Sequence, residues 1–405
     1  MQKGNARYMP RRQLRRTLAA LAALIALAAV LLAGLSLPVV GATGLAARAG
    51  MSAMTEIPSE FKPTQPSQQS VIYSRDGKEI ARFYAENRIV VKLKDMSPWV
   101  QKGTTAIEDH RFYQHRGVDL EGIARAIANN LAGRDTQGAS TLTQQLVKNT
   151  LIDKGLRAGD MNQVRKAREQ SITRKLREAK DALAIEKQLS KDQILEGYLN
   201  IAPYGTSVYG VESASRFYFS KSAKDLTLSE GALLSGITQS PAKFDPTLHP
   251  ENSQNRRDQV LKAMLREQMI TYDQYKEAKA IPVPDLLKVS PGQQGCAAAG
   301  KASYFCAYAV NEIYNNPVFG KSLNDRRRLL LRGGLKIYTT MDSNLQNLAT
   351  DTAFNRIPEG DSSGLSIAIS SIEPGTGKIR ALAQNTPYGN PDKEHPRATQ
   401  NSFGV

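Results

Sequence analysis

The stretch AIEDHRFYQHRGVD, Ala106 to Asp119, decides how the rest of the chain is read. It sets the carboxylates Glu108 and Asp109 side by side and holds His110 and His115, two of only four histidines in 405 residues. Phe112 and Tyr113 lie between those histidines. A surface loop can carry such residues, but loops rarely combine aromatics with histidines, and adjacent carboxylates need a reason. What the pair does depends on which other polar residues can join it.

Four further stretches supply candidates. In GASTLTQQLVKN, Gly138 to Asn149, the residues Ser140, Gln144 and Lys148 recur at i, i+4 and i+8. On a helix they form one polar stripe about 12 Å long, with Leu142 and Leu146 on an inward face. Gly138 and Ser140 stand where the helix begins, so free N–H groups there can face an anion. An N-cap serine before ordinary solvated residues is the plain alternative.

In ITRKLREAKDAL, setting Ile172, Leu176, Ala179 and Leu183 inward puts Arg174, Glu178 and Asp181 on the opposite face, flanked by Lys175 and Arg177. For a lone helix, a run of solvated i,i+4 ion pairs explains this equally well. In YLNIAPYG, Pro203 and Gly205 impose a turn beside the Asn200 amide and the Tyr204 hydroxyl; a plain helix end is the alternative. In RRDQVLKAM, Arg256 and Arg257 precede an amphipathic stretch and read, taken alone, as a solvated basic patch.

The formal charge of +16 calls for an anionic partner, and 41% hydrophobic content supports two or three cored domains at this length. Residues 1–16 carry six basic and no acidic residues, and residues 17–47 follow without a charge. That uncharged run exceeds the roughly 20 residues a membrane-crossing helix needs. The charge asymmetry places a short basic tail in the cytoplasm and the remainder outside the cell membrane, behind a single-pass anchor. A cleavable signal peptide is the alternative, but signal cores run only about 7–15 residues. A basic domain held outside against a membrane meets lipid-borne phosphate rather than nucleic acid. A disulfide between Cys296 and Cys306 suits such a domain. A two-cysteine metal site is the rival, with no histidine nearby and no zinc-like spacing.

Along the chain, residues 48–69 read as a Pro/Ser/Gln-rich linker and residues 70–269 as the main domain. Within it SVIYSRDGKEIARFY alternates around Asp76-Gly77 and predicts a hairpin, and residues 119–269 are helical in pattern. Prolines 282, 284 and 291 mark a connector, 270–362, in which GGLKIYTTMD reads as a strand and SNLQNLATDTAFNRI as a helix. GLSIAISSIEPGTGKIRALAQN predicts a second hairpin, opening a β-containing domain over 363–405.

Taken in order, the motifs resemble those of the glycosyltransferase module of class A penicillin-binding proteins, glycosyltransferase family 51. They are Glu-Asp-x-x-Phe-x-x-His-x-Gly from Glu108 to Gly117, and Gly-x-Ser-Thr-x-x-Gln-Gln-x-x-Lys-Asn from Gly138 to Asn149. Arg-Lys-x-x-Glu follows from Arg174 to Glu178, Tyr-Leu-Asn with a later glycine from Tyr198 to Gly205, and Arg-Arg-x-x-Val-Leu from Arg256 to Leu261. The cysteine-bearing connector is similar to that of actinobacterial members.

The resemblance implies a mainly α, lysozyme-like fold that polymerises lipid II into glycan strands. It implies Glu108 as the base that takes the acceptor hydroxyl proton while undecaprenyl pyrophosphate leaves with inversion. Lys148, Arg174, Lys175 and Arg177 would neutralise that leaving group, with magnesium or another divalent cation as a candidate cofactor and no organic cofactor. Glu178 is the second glutamate, on the donor side. Ser140, Thr141, Gln144 and Asn149, with Asn200 and Tyr204, would orient sugar and phosphate oxygens. Asp109 would hold Glu108 and its neighbours in place, and His115 and Phe112 would shape the site. Implied partners are lipid II, the growing glycan strand, the membrane, and the division or elongation machinery.

The second domain of that family carries Ser-x-x-Lys and Lys-Thr-Gly. This sequence has no Lys-Thr-Gly, and its two Ser-x-x-Lys matches, SEFK and SPAK, fall elsewhere. The expectation is a truncated bifunctional enzyme with its polymerase intact. A lysozyme-like lytic glycosidase is the rival enzyme, opposed by the basic stripe, because a hydrolase has no pyrophosphate to hold. An inactive membrane scaffold is the rival from another class, opposed by the presence of both Glu108 and Glu178.

Overall fold

The computed structural model describes residues 64–123, 125 and 140–389. The basic tail, the expected span at 17–47 and most of the linker lie outside them, as does the end of the expected last domain. Among the described residues no helix is long and apolar enough to cross a membrane.

The described chain is mainly helical, as its periodicity predicts. A hairpin of β1 (Ser70–Tyr73) and β2 (Glu79–Phe83) turns through Gly77 at φ 78°, a left-handed conformation that favours glycine. Helix α1 (Pro98–Glu108) follows, started by Ser97, whose hydroxyl accepts from the Trp99 N–H. Next come α2 (Leu142–Ala158), α3 (Met161–Arg168), α4 (Ile172–Ile185), α5 (Lys191–Ile201) and α6 (Val211–Phe219). Then α7 (Leu228–Ile237), α8 (Pro250–Arg266) and α9 (Tyr272–Ala280) complete the helical body. Thr141, Asp160, Ser171, Ser190 and Thr227 cap α2, α3, α4, α5 and α7, which is why these short helices start where they do.

Helix α7 organises the body. All of its residues from Ser229 to Ile237 are buried. Its neighbours approach through small residues. A Cβ on Gly231 would lie 2.8 Å from the Val100 backbone nitrogen of α1, and one on Gly236 2.9 Å from Arg256 Cγ of α8. A Cβ on Gly103 of α1 would lie 2.7 Å from the Ser235 hydroxyl. These contacts draw the C-terminus of α1, where Glu108 sits, toward Arg256.

The connector comprises α10 (Val283–Leu286), α11 (Ser303–Asn315), α12 (Leu323–Arg332), β3 (Lys336–Tyr338) and α13 (Ser343–Arg356). The second predicted hairpin is formed by β4 (Ala368–Ile372) and β5 (Ile379–Gln384). Residues 70–83 also share a sheet and a core with connector residues. Strand β1 pairs in parallel with β3, Ile72 opposite Ile337. Ile72, Ile80 and Phe83 share a core with Phe305, Leu330, Met341 and the Cys296–Cys306 disulfide, which forms as expected. An alternating hairpin announces its two faces but not the element that covers them. The preceding chain is tied to the helical body by a buried ion pair. Arg88 Nη1 lies 2.9 Å from Asp153, which also accepts the Ser67 N–H.

Helix α4 departs from its predicted orientation. Ile172, Leu176, Ala179 and Leu183 were expected inward, yet Ile172 is 81% exposed and Leu183 is exposed. The buried residues are Glu178, Asp181, Ala182 and Ile185. A buried carboxylate is tolerable when cations pair with it, and Glu178 has two on its own helix.

The close approach of α1 to α7 carries a testable consequence. Gly231→Ala drives a Cβ into backbone, and overpacking of this kind costs about 1–3 kcal/mol. Urea denaturation should show that loss; unchanged stability would contradict the packing described.

Candidate active site

The site is built on the C-terminus of α1 and the exposed edge of α2. Glu108 is the last residue of α1, with its side chain 11% exposed. Its Oε2 accepts a hydrogen bond from Gln145 Nε2 at 3.0 Å, and its Oε1 lies 3.4 Å from Arg256 Nη2. Loss of water around it pushes its pKa above the ordinary carboxylate range. The Gln145 hydrogen bond and the Arg256 charge oppose that rise, and the neighbouring Asp109 adds to it.

Asp109 points away from this centre and supports it. Its carboxylate bonds His115 Nε2 at 2.9 Å and accepts the Leu142 N–H at 3.0 Å. It thereby joins the first motif to the start of α2, and Phe112 and His115 are buried around it. Thr141 makes the second joint. It caps α2, accepts the Gln144 N–H, and donates to the Gly117 carbonyl at 2.6 Å.

Lys148 continues the site one turn along α2, about 4.5 Å from Gln145 by helical rise. Burial lowers its pKa, opposed by Glu178, while Arg174, Lys175 and Arg168 add to the lowering. That set of charges defines a basic cluster around Glu178. Arg174 and Lys175 both pair with the Glu178 carboxylate, Lys175 at 3.3 Å. Lys175 Nζ also donates to Ser140 Oγ at 2.7 Å. Arg177 lines a hollow of about 300 Å³ with Arg174, Glu178 and Lys166. Asn149 lines another, about 330 Å³, with Lys148, Arg168 and Tyr209.

The structure gathers Ser140, Lys148, Arg174, Lys175 and Glu178 into one cluster, with Asn149 and Arg177 at the rims, and sets Glu108 against Gln145, one turn before Lys148 on α2. It does not leave Thr141, Gln144 or Asn200 free to reach a substrate as expected. Thr141, rather than Ser140, is the N-cap, and the Gln144 side chain returns to the Thr141 N–H at 3.0 Å. The buried Asn200 amide bonds both backbone groups of Val91. Tyr204 is fully buried, its hydroxyl has no hydrogen-bond partner, and its pKa is raised by burial first and by the charge of Glu108 second.

The sequence reading gives Gln145 and Tyr198 no role in the site, and the Arg256–Arg257 pair, read as a solvated patch, is instead buried. One signal was present: Thr141-x-x-Gln144 is a capping-box pattern, which commits Gln144 to the helix start and leaves Gln145 for the site. Among the described residues no three His, Cys, Asp or Glu side chains gather into a metal-binding group. The Glu178 oxygens are held by cations of its own helix. This donor set does not fit a protein-held divalent cation.

Residues 76–265 match the family model described as Transglycosylase. Penicillin-binding protein 2D of Bacillus subtilis is 35% identical over 80% of this chain and 43% of its own length. Penicillin-binding protein 1A of Neisseria lactamica is 35% identical over 76% and 36%, and that of Vibrio cholerae 37% identical over 71% and 31%. The chain is thus similar to penicillin-binding proteins and carries a region that matches the Transglycosylase family model. The chain spans less than half the length of each of these relatives.

The support beneath the module's site is testable. Thr141→Ala removes the cap and the bond to Gly117 and should lower stability to chemical denaturation by about 1–2 kcal/mol. Thr141→Ser keeps both contacts and should restore most of it. Equal losses in the two variants would show that the hydroxyl is not what holds the joint.

Proposed function

We propose that this chain polymerises lipid II into glycan strands by a single inverting displacement at the anomeric carbon, on a lysozyme-like helical module held at the membrane by residues 17–47. The observation that carries the reading is the pairing, along one edge of α2, of a desolvated carboxylate with a cluster of cations. Glu108 takes the proton of the acceptor 4-hydroxyl as that oxygen attacks, a task for which a pKa raised toward neutrality is suited. Lys148, Arg174 and Lys175, with Arg177 at the rim, stabilise the departing undecaprenyl pyrophosphate. Glu178 holds Arg174 and Lys175 at the cluster and keeps it from being a bare excess of positive charge. Ser140 and Asn149 contact sugar or phosphate oxygens, while Asp109, Thr141, Gln144 and Asn200 set the frame.

The outward apolar face of α4 supports a lipid-borne substrate. Ile172 and Leu183 are exposed there, and the loop bearing Gly117 lies against α4 near Ala182, with Leu120 76% exposed just beyond it. A raised carboxyl pKa also suits the general acid of a lytic glycosidase. The cations favour the polymerase, because cleavage of finished glycan releases no pyrophosphate.

The test uses the full chain in detergent with labelled lipid II. Glycan chains are expected, and Glu108→Gln, which keeps size but cannot accept a proton, should abolish them while lipid II still binds. Arg174→Ala and Lys148→Ala should each lower turnover about 30- to 1000-fold, with a smaller change in substrate binding. Efficient digestion of finished glycan, indifferent to those two residues, would overturn the polymerase in favour of the hydrolase.

A further inference from the structure

Gln145 reaches Glu108, but an amide can face a carboxylate with either end. Only its N–H end stabilises the charged base; its carbonyl end would repel it. The structure contains the part that chooses. The Tyr198 hydroxyl, on α5, donates to Gln145 Oε1 at 3.2 Å, which turns Gln145 Nε2 onto Glu108 Oε2 at 3.0 Å. Tyr198 is 1% exposed, and its hydroxyl also lies within hydrogen-bonding reach of Thr238 at the end of α7. Burial holds its pKa well above the ordinary phenol value, so it stays a donor across the working pH range.

We propose that Tyr198 is a positioning residue for the glycosyl transfer, acting through Gln145 to keep an amide N–H on the Glu108 carboxylate. The proposal rests on the polymerase reading for its consequence in turnover, and on geometry alone for its effect on Glu108. The other charged and titratable groups facing Glu108 are Arg256 from α8, Asp109 beside it, and the buried Tyr204 beyond the end of α5. Arg256 is the only cation among these, and its contact is the longer one at 3.4 Å. A second donor therefore matters to whether the base is ionised.

The sign of the effect follows. A hydrogen bond donated to the carboxylate favours its charged form and lowers its pKa; losing that bond lets the pKa rise. Tyr198→Phe frees the Gln145 amide to turn, and Gln145→Met removes the donor outright. In either variant the acidic limb of the kcat/KM profile should move up by about one pH unit, with KM for lipid II little changed. Because Tyr198 acts through Gln145, adding Tyr198→Phe to Gln145→Met should move the limb no further.

Polymerisation of lipid II by the full-length protein across pH gives these limbs, and thermal melts confirm that each variant is folded. An unmoved limb in Gln145→Met, or shifts that add in the double variant, would overturn the proposal, and the former holds even if Tyr198→Phe does not fold. Infrared titration of the Glu108 carboxyl, taken as the difference from Glu108→Gln, reads the same shift without any turnover. A parent protein that makes no glycan but whose Glu108 titration shifts in both variants would sink the polymerase and leave the relay standing. Normal polymerisation with no such shift would do the reverse.

Discussion

The structure depends on how closely α1, α7 and α8 can approach one another. Gly231 and Gly236 of α7, and Gly103 of α1, leave no room for side chains where the helices touch. With Cβ atoms at those places α1 would stand off from α7. The 3.4 Å contact of Glu108 with Arg256 joins the end of α1 to α8 across that same packing. Close packing of helix backbones thus goes with the burial of Glu108. The chemistry begins with three residues that have almost no chemistry of their own.

The two glutamates show how environment divides identical side chains into different tasks. Glu178 is buried but answered by Arg174 and Lys175, so its charge is neutralised where it stands. Glu108 is answered by a neutral amide at 3.0 Å and by an arginine only at 3.4 Å. Burial therefore acts on Glu108 with less to oppose it, and its pKa rises. One carboxylate is paired with cations and the other is desolvated with a raised pKa, and nothing in the covalent structure distinguishes them.

Helix α2 divides its labour in a similar way. Thr141 and Gln144 close the helix start and join it to Gly117, and Asp109 joins the Leu142 N–H to His115. That rigid start leaves the next positions, Gln145 and Lys148, aimed at fixed points. The neighbouring positions 144 and 145 carry the same residue type and serve opposite ends. One is consumed by the fold and the other by the site.

The sequence alone determined a mainly helical body, both hairpins, the cysteine pair and the ordered motifs, because local periodicity and turn chemistry act over a few residues. It also suggested which residue types would serve as base and cations in the proposed reaction. It could not say which face of α4 turns inward, because periodicity marks two faces and burial depends on what lies opposite; here paired charges make the polar face the buried one. It could not separate Gln144 from Gln145, or assign Asn200 to the backbone of Val91, because those choices are made by partners far away in the chain. Nor could it place the first hairpin against β3, some 260 residues later. Tertiary structure decided these points because each is a contact between distant segments, and only the folded chain brings the two partners to one place.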